Sequence, residues 1–251
     1  MFDLTNQIAV VTGASGGLGR QFALALARQG ASVVILARRK ENMDQVAQEI
    51  RSLGVECLPV VCDVTQLSHV ENAAKLVQEK YGKTDILINN AGGGVNAPLA
   101  ELTDEMWQQT LDIDLTAVFR CTRVFGRHMV NRGYGRIINI SSIMGMSGDM
   151  DLSVIAYQTA KAGVINFTRA AAGEWSKAGV TVNAICPGFF ASETIHSEYL
   201  KALQPVIESK TPLGRPGREG ELDSAIVFLA ARESSYVTGI TLPVDGGWTA
   251  V

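Results

Sequence analysis

At 251 residues, 47% apolar and 19% charged, the chain suits one globular domain with ample material for a core. A net charge of −3, with no basic cluster, argues against nucleic acid or an anionic membrane as the main partner. Met1 to Asn6 shows no leader pattern, and no apolar run approaches the ~20 residues that span a bilayer, so a soluble, cytoplasmic protein is expected. Cys57, Cys62, Cys121 and Cys186 lack disulfide or metal-ligand spacing; buried, reduced thiols and no metal are expected.

The first run, Gln7 to Thr12, is short and β-branched. It ends in Gly13-Ala14-Ser15-Gly16-Gly17-Leu18-Gly19-Arg20, and an amphipathic helix from Gln21 to Gln29 follows, stopped by Gly30. A glycine-rich loop between strand and helix lets backbone N–H groups approach a pyrophosphate at the positive helix end. The glycine spacing here is Gly-x-x-x-Gly-x-Gly. Ser32 to Leu36 is the second strand, followed by Ala37-Arg38-Arg39-Lys40. An acidic residue at this place binds a ribose 2′-hydroxyl, whereas arginine accommodates a 2′-phosphate, so Arg38 and Arg39 favour NADP(H) over NAD(H).

A helix from about Glu41 to Leu53 and a strand over Glu56 to Val61 lead to Cys62-Asp63-Val64. Asp63 can accept from an adenine amino group or cap the next helix, Leu67 to Tyr81, which ends at Gly82. The strand Asp85 to Ile88 then runs into Asn89-Asn90-Ala91-Gly92-Gly93-Gly94, where the backbone can pass close under a cofactor. Alternating strands and helices imply a parallel sheet covered on both faces, with ligands beyond the carboxyl ends of its strands.

Thr103-Asp104-Glu105 starts a long helix with Trp107, Leu111, Leu115 and Val118 on one apolar stripe. The strand Ile137 to Ile140 delivers Ser141 and Ser142. Tyr157 and Lys161, four apart, share one face of a helix that runs to about Lys177. An ammonium one turn from a phenol favours phenolate, which suits a general acid or base, and the Ser142 hydroxyl can hold a substrate oxygen beside it. Val180 to Ile185 is the sixth strand and leads to Cys186-Pro187-Gly188-Phe189-Phe190. From 188 to 217 the pattern is less periodic, with Pro205, Pro212 and Pro216, and this segment is expected to form a substrate lid. A helix from Gly220 to Ala231 and a strand from Ile240 to Val244 close the sheet.

In this order, Thr12 to Gly19, Asp63-Val64, Asn89 to Gly92, Ser142, Tyr157 with Lys161, and Pro187-Gly188 resemble the short-chain dehydrogenase/reductase family across nearly the whole chain. The resemblance implies a Rossmann-type, doubly wound, seven-stranded parallel sheet in a three-layer α/β/α domain, a nicotinamide cofactor and a homotetramer or homodimer. It makes Ser142, Tyr157 and Lys161 catalytic. It assigns to the cofactor Gly13, Ser15, Gly16, Gly17, Leu18, Gly19, Arg38, Arg39, Asp63, Val64, Asn90, Ala91, Gly92, Tyr157, Lys161, Pro187, Gly188, Phe190 and Ser192. Asp114 stands where the family has asparagine. In the family that asparagine's backbone carbonyl holds a water in a proton relay to the lysine; the resemblance places Asp114 in the catalytic set with the same backbone role, and its carboxylate can also pair with Lys161.

For the substrate, Glu174-Trp175 and Pro187-Gly188-Phe189-Phe190 are similar to gluconate 5-dehydrogenases, which implies a sugar acid, polyol or ketose, with Ser147, Asp149 and Asp151 as hydroxyl partners. The alternative is a 3-oxoacyl-thioester (acyl-carrier-protein) reductase. Gly173 speaks against it where a basic docking residue is usual, and Arg132 speaks for it. An alternative of another class is a catalytically silent NADP(H)-binding regulator. A hydrolase lacks support: there is no Gly-x-Ser-x-Gly elbow, His69 and His128 fall on helices away from the site, and His196 falls on the lid.

Overall fold

A computed structural model describes residues 2–148, 152–190 and 197–250, with side chains left aside for 197–202. Seven strands, β1 (Ile8–Thr12), β2 (Ser32–Ala37), β3 (Cys57–Val61), β4 (Ile86–Asn89), β5 (Gly135–Ile140), β6 (Val180–Pro187) and β7 (Thr241–Val244), form one parallel sheet in the order β3-β2-β1-β4-β5-β6-β7. Every pairing is parallel, from Ile8 opposite Ser32 to Pro187 opposite Val244. The order reverses between β1 and β4, and a crevice opens there at the carboxyl ends.

Strand alternation divides the core into two. Ala9 and Val11 of β1 face helices α1 (Gly17–Arg28), α2 (Lys40–Ser52) and α8 (Asp223–Ala230), through Phe22, Met43, Ile50 and Ile226. Ile8 and Val10 face α3 (Leu67–Tyr81), α5 (Ala117–Arg132) and α6 (Ile155–Trp175), through Val70, Phe125 and Ala172. Each fully buried side chain of this size contributes about 1.5–3 kcal/mol. All four cysteines are free and buried, as expected. Among the described residues no helix is long and apolar enough to cross a membrane.

One expectation needs correction, and one segment is more regular than its sequence pattern suggests. The long helix begins where expected, with the Thr103 hydroxyl accepting from the Met106 N–H, but it is α4 (Asp104–Leu111), then a π-helical turn (Asp112–Thr116), then α5. Val118 of the expected stripe is buried, but Trp107, Leu111 and Leu115 are only half-buried, and the face that turns inward carries Thr110, Asp114, Ala117 and Cys121. The segment from 188 to 217 also holds a regular helix, α7 (Ser197–Lys210), with Pro205 inside it. Proline removes one N–H and strains one turn, yet flanking tertiary contacts, including fully buried Ile207, retain the helix.

Candidate active site

The crevice between β1 and β4 is closed by side chains acting as backbone. The Thr12 hydroxyl accepts from the N–H groups of Asn90 and Ala91, both at 2.9 Å, and the Asn90 amide donates to the Thr12 carbonyl at 3.0 Å. Gly13 and Gly17 adopt left-handed φ of +66° and +53°. A Cβ on Gly13 would lie 2.8 Å from the Ala91 backbone, and one on Gly19 would collide with the Gly13 carbonyl and the Asn90 amide. Gly16 begins α1 without any side-chain cap, so the first N–H groups of that helix face the crevice unspent.

Beside this loop, Arg39 reaches Ser15, its Nη2 3.4 Å from the hydroxyl. Both arginines of the pair are exposed, whereas Lys40 is spent on Asp44 at 2.7 Å. Asp63 sits at the end of β3, accepting from the Thr65 N–H and hydroxyl at 3.0 and 2.7 Å. Burial pushes its carboxyl up, but the Thr65 hydrogen bonds and the charge of Arg38 outweigh this and leave it below the usual range. His69 belongs to this corner, contrary to expectation: its Nδ1 accepts from the Asp63 N–H at 3.4 Å. Side chains in a first helical turn lean toward the helix N-terminus, and this carries the imidazole back to Asp63. Val64 is buried and packs in the α3 layer.

At the centre, β5 ends at Ile140 and a 3₁₀ turn (Ile143–Gly145) follows. Ser142 caps it, its oxygen accepting from the Met144 N–H at 3.1 Å, so its own proton remains to be donated elsewhere. The Ser141 hydroxyl donates to the Lys161 carbonyl at 2.8 Å, tying the turn to α6. Gly145 permits this approach, since a Cβ there would lie 2.6 Å from the Lys161 backbone. On α6 the Lys161 ammonium lies 5.4 Å from the centre of the Tyr157 ring. It donates to the Ile140 carbonyl at 3.1 Å and pairs with Asp114 at 3.0 Å. Of the two roles open to Asp114 in the sequence, a backbone relay and a carboxylate pairing with Lys161, the pairing is present.

The far wall is the Pro187-Gly188 turn. The Gly188 N–H donates to the Val244 carbonyl at 3.0 Å, and a Cβ on Gly188 would lie 2.8 Å from Asp245. The Phe190 ring is buried against Gly217 in the core, so only its backbone remains for a ligand. Leu18 is half-buried against the α1 layer. Ser192, Asp149, Asp151 and His196 lie outside the described residues, and Ser147 is exposed.

A family model described as enoyl-(acyl carrier protein) reductase matches residues 13–249. The structure aligns with a solved short-chain type dehydrogenase/reductase from Mycobacterium marinum at a TM-score of 0.95 and 36% identity, covering 100% of this chain and 98% of that one. The chain belongs to the short-chain dehydrogenase/reductase family. Among its relatives in that family, the 3-oxoacyl-[acyl-carrier-protein] reductase of Synechocystis sp. is 41% identical over 98% of both chains. The gluconate 5-dehydrogenase of Gluconobacter oxydans is 37% identical over 99% of this chain and 97% of its own. The protein is therefore an oxidoreductase acting on carbonyl and CH–OH groups, of a family that binds NAD(P). The uncapped start of α1, the three glycines below it and the Gly92–Gly94 backbone fit such a dinucleotide.

Proposed function

We propose that this enzyme is an NADP(H)-dependent oxidoreductase interconverting a ketone and a secondary alcohol on a sugar acid, polyol or ketose. The observation that carries the cofactor reading is the pair Arg38 and Arg39: Arg39 bonds Ser15 of the glycine loop, and the charge of Arg38 acts on Asp63. A 2′-phosphate needs cations at that corner, and no carboxylate stands where a 2′-hydroxyl would need one. Gly13 to Gly19, Asp63, Val64 and Asn90 to Gly92 line the cofactor's path, with the Pro187–Phe190 backbone at its far end.

The nicotinamide supplies the hydride equivalent. Tyr157 donates its proton to the substrate oxygen in reduction and recovers it in oxidation. Ser142 donates to the same oxygen and fixes its direction, while the Lys161 ammonium supplies positive charge where negative charge develops. Residues 188–217, which include α7, act as the lid.

The polyol reading is supported by the gluconate 5-dehydrogenase relative and by the engagement of Arg132 with Asp85 at 2.8 Å, which leaves that arginine poorly placed to dock a carrier protein. The second reading, 3-oxoacyl-thioester reduction, is favoured by the 41% identical relative. The assembly reading is a homotetramer. It is supported by apolar surface along α5 and α6, where Phe119 is 42% exposed, 6.4 Å from the Phe167 ring and stacked under Arg123.

The deciding experiment follows nicotinamide absorbance with NADPH and NADH against 5-ketogluconate, simple ketoses, diketones and a 3-oxoacyl thioester. Turnover of a sugar carbonyl with NADPH supports the reading. Preference for NADH overturns the role of Arg38 and Arg39, and thioester turnover alone selects the second reading.

A further inference from the structure

The carboxylate of Asp114 is fully buried, and the ammonium it faces is 4% exposed. An ammonium has three N–H groups. One is spent on the Ile140 carbonyl and one on Asp114, so a single donor remains. The same carboxylate faces the triple-glycine loop. Both its oxygens lie 3.4 Å from the Gly93 N–H, and a Cβ on Gly92 would stand 2.6 Å from Oδ1. One turn earlier, the Thr110 hydroxyl accepts from the Val95 N–H at 3.2 Å, and a Cβ on Gly94 would lie 2.7 Å from it. Gly92 and Gly94 thus admit Asp114 and Thr110, one turn apart on the inward face of the helix.

We propose that Asp114 is a positioning residue that acts through its carboxylate, clamping the Gly92–Gly94 loop onto the helix, holding Lys161 charged, and leaving one ammonium donor for the reacting site. This rests on the assignment of Lys161 to that site. A buried ammonium deprived of its only close carboxylate among the described residues is strongly disfavoured. Burial pulls Lys161 down, but the charge of Asp114, with Tyr157 next, more than offsets it and leaves the lysine above its ordinary range. The titratable groups facing it are Asp114 from the π turn, Tyr157 from α6 and Cys186 from β6. Charge on a lysine so raised is kept at neutral pH and lost only as pH rises through the folded-state value. Without Asp114 that value falls, and the charge is lost at lower pH.

The test is Asp114→Asn, which keeps the shape and removes the charge. Its turnover and its affinity for NADPH, the latter read by fluorescence, should fail on the alkaline side about 1–3 pH units earlier than in the wild type. Independently of activity, its Tm deficit should be largest near pH 7 and shrink toward pH 10, as the unpaired lysine sheds its proton. A deficit equal at all pH values, with unshifted alkaline limbs, overturns the proposal, because lost packing alone would behave so. If Asp114→Asn does not fold, the double variant Asp114→Asn/Lys161→Met should, since it removes both charges; failure of both overturns it too. Absence of any wild-type turnover would defeat the proposed function while the melting series still judged Asp114.

Discussion

The two ends of the sheet use polar side chains in opposite ways. At the amino end they are spent inside the fold. Asp85, just before β4, accepts from the Ile8 N–H at 2.9 Å and pairs with Lys83 and Arg132 at 3.0 and 2.8 Å. Buried Arg136 donates to the carbonyls of Gly135, Ala231 and Arg232, and lies with Arg132 and Arg232 around the Tyr134 ring. At the carboxyl end, polar groups are held in place yet keep unspent capacity: the Ser142 proton, one Lys161 donor, the first N–H groups of α1, and the exposed Arg38 and Arg39. The same chemistry stabilises at one end and is reserved for a ligand at the other.

Substitutions at the two ends should therefore separate stability from activity. Tyr157→Phe, at the carboxyl end, should lower turnover by about 10²–10⁴-fold with little change in Tm; retention of turnover would remove Tyr157 as the acid. Asp85→Ala should do the reverse, costing about 3 kcal/mol in a urea melt, the low end for a broken buried pair because Lys83 and Arg132 can turn to water. Its turnover per folded molecule should be unchanged. Arg38→Ala/Arg39→Ala should raise KM for NADPH about 10- to 100-fold and leave that for NADH within a few-fold, as loss of charged hydrogen bonds requires. At the small end, Arg28→Ala breaks a pair with Asp223 whose arginine is 54% exposed, and should cost less than about 1 kcal/mol by the same melt.

The first half of the chain could be read closely because each of its signals is local. The Gly13–Gly19 loop, the Asn89–Gly94 stretch and the Arg38-Arg39 pair sit at strand ends that β-branched runs mark without ambiguity, whereas the clasp of Asn90 on Thr12 carries no local signal. Tyr157 and Lys161 were equally legible, being one turn apart on a single helix. Asp114 was legible as a departure from the family but not as an inward-facing group, since the apolar residues of the helix point Leu111 and Leu115 inward and nothing in the sequence marks a buried carboxylate beside them. Helix α7 was concealed by Pro205, whose local meaning is a stop. His69 depends on the direction in which a first-turn side chain leans, which sequence spacing alone does not convey.

The four thiols have a further use. Cys57 and Cys62 are pushed up to about 11 by burial, and burial likewise raises Cys121 and, despite Ser141 and Lys161, Cys186. A thiol so placed reacts only as the thiolate it rarely is, and only when its cover lifts. The set runs from edge strand β3 through α5 to interior strand β6. Alkylation rates at these four positions would therefore time how the native protein opens, from one rim of the sheet to a strand covered on both sides near the other.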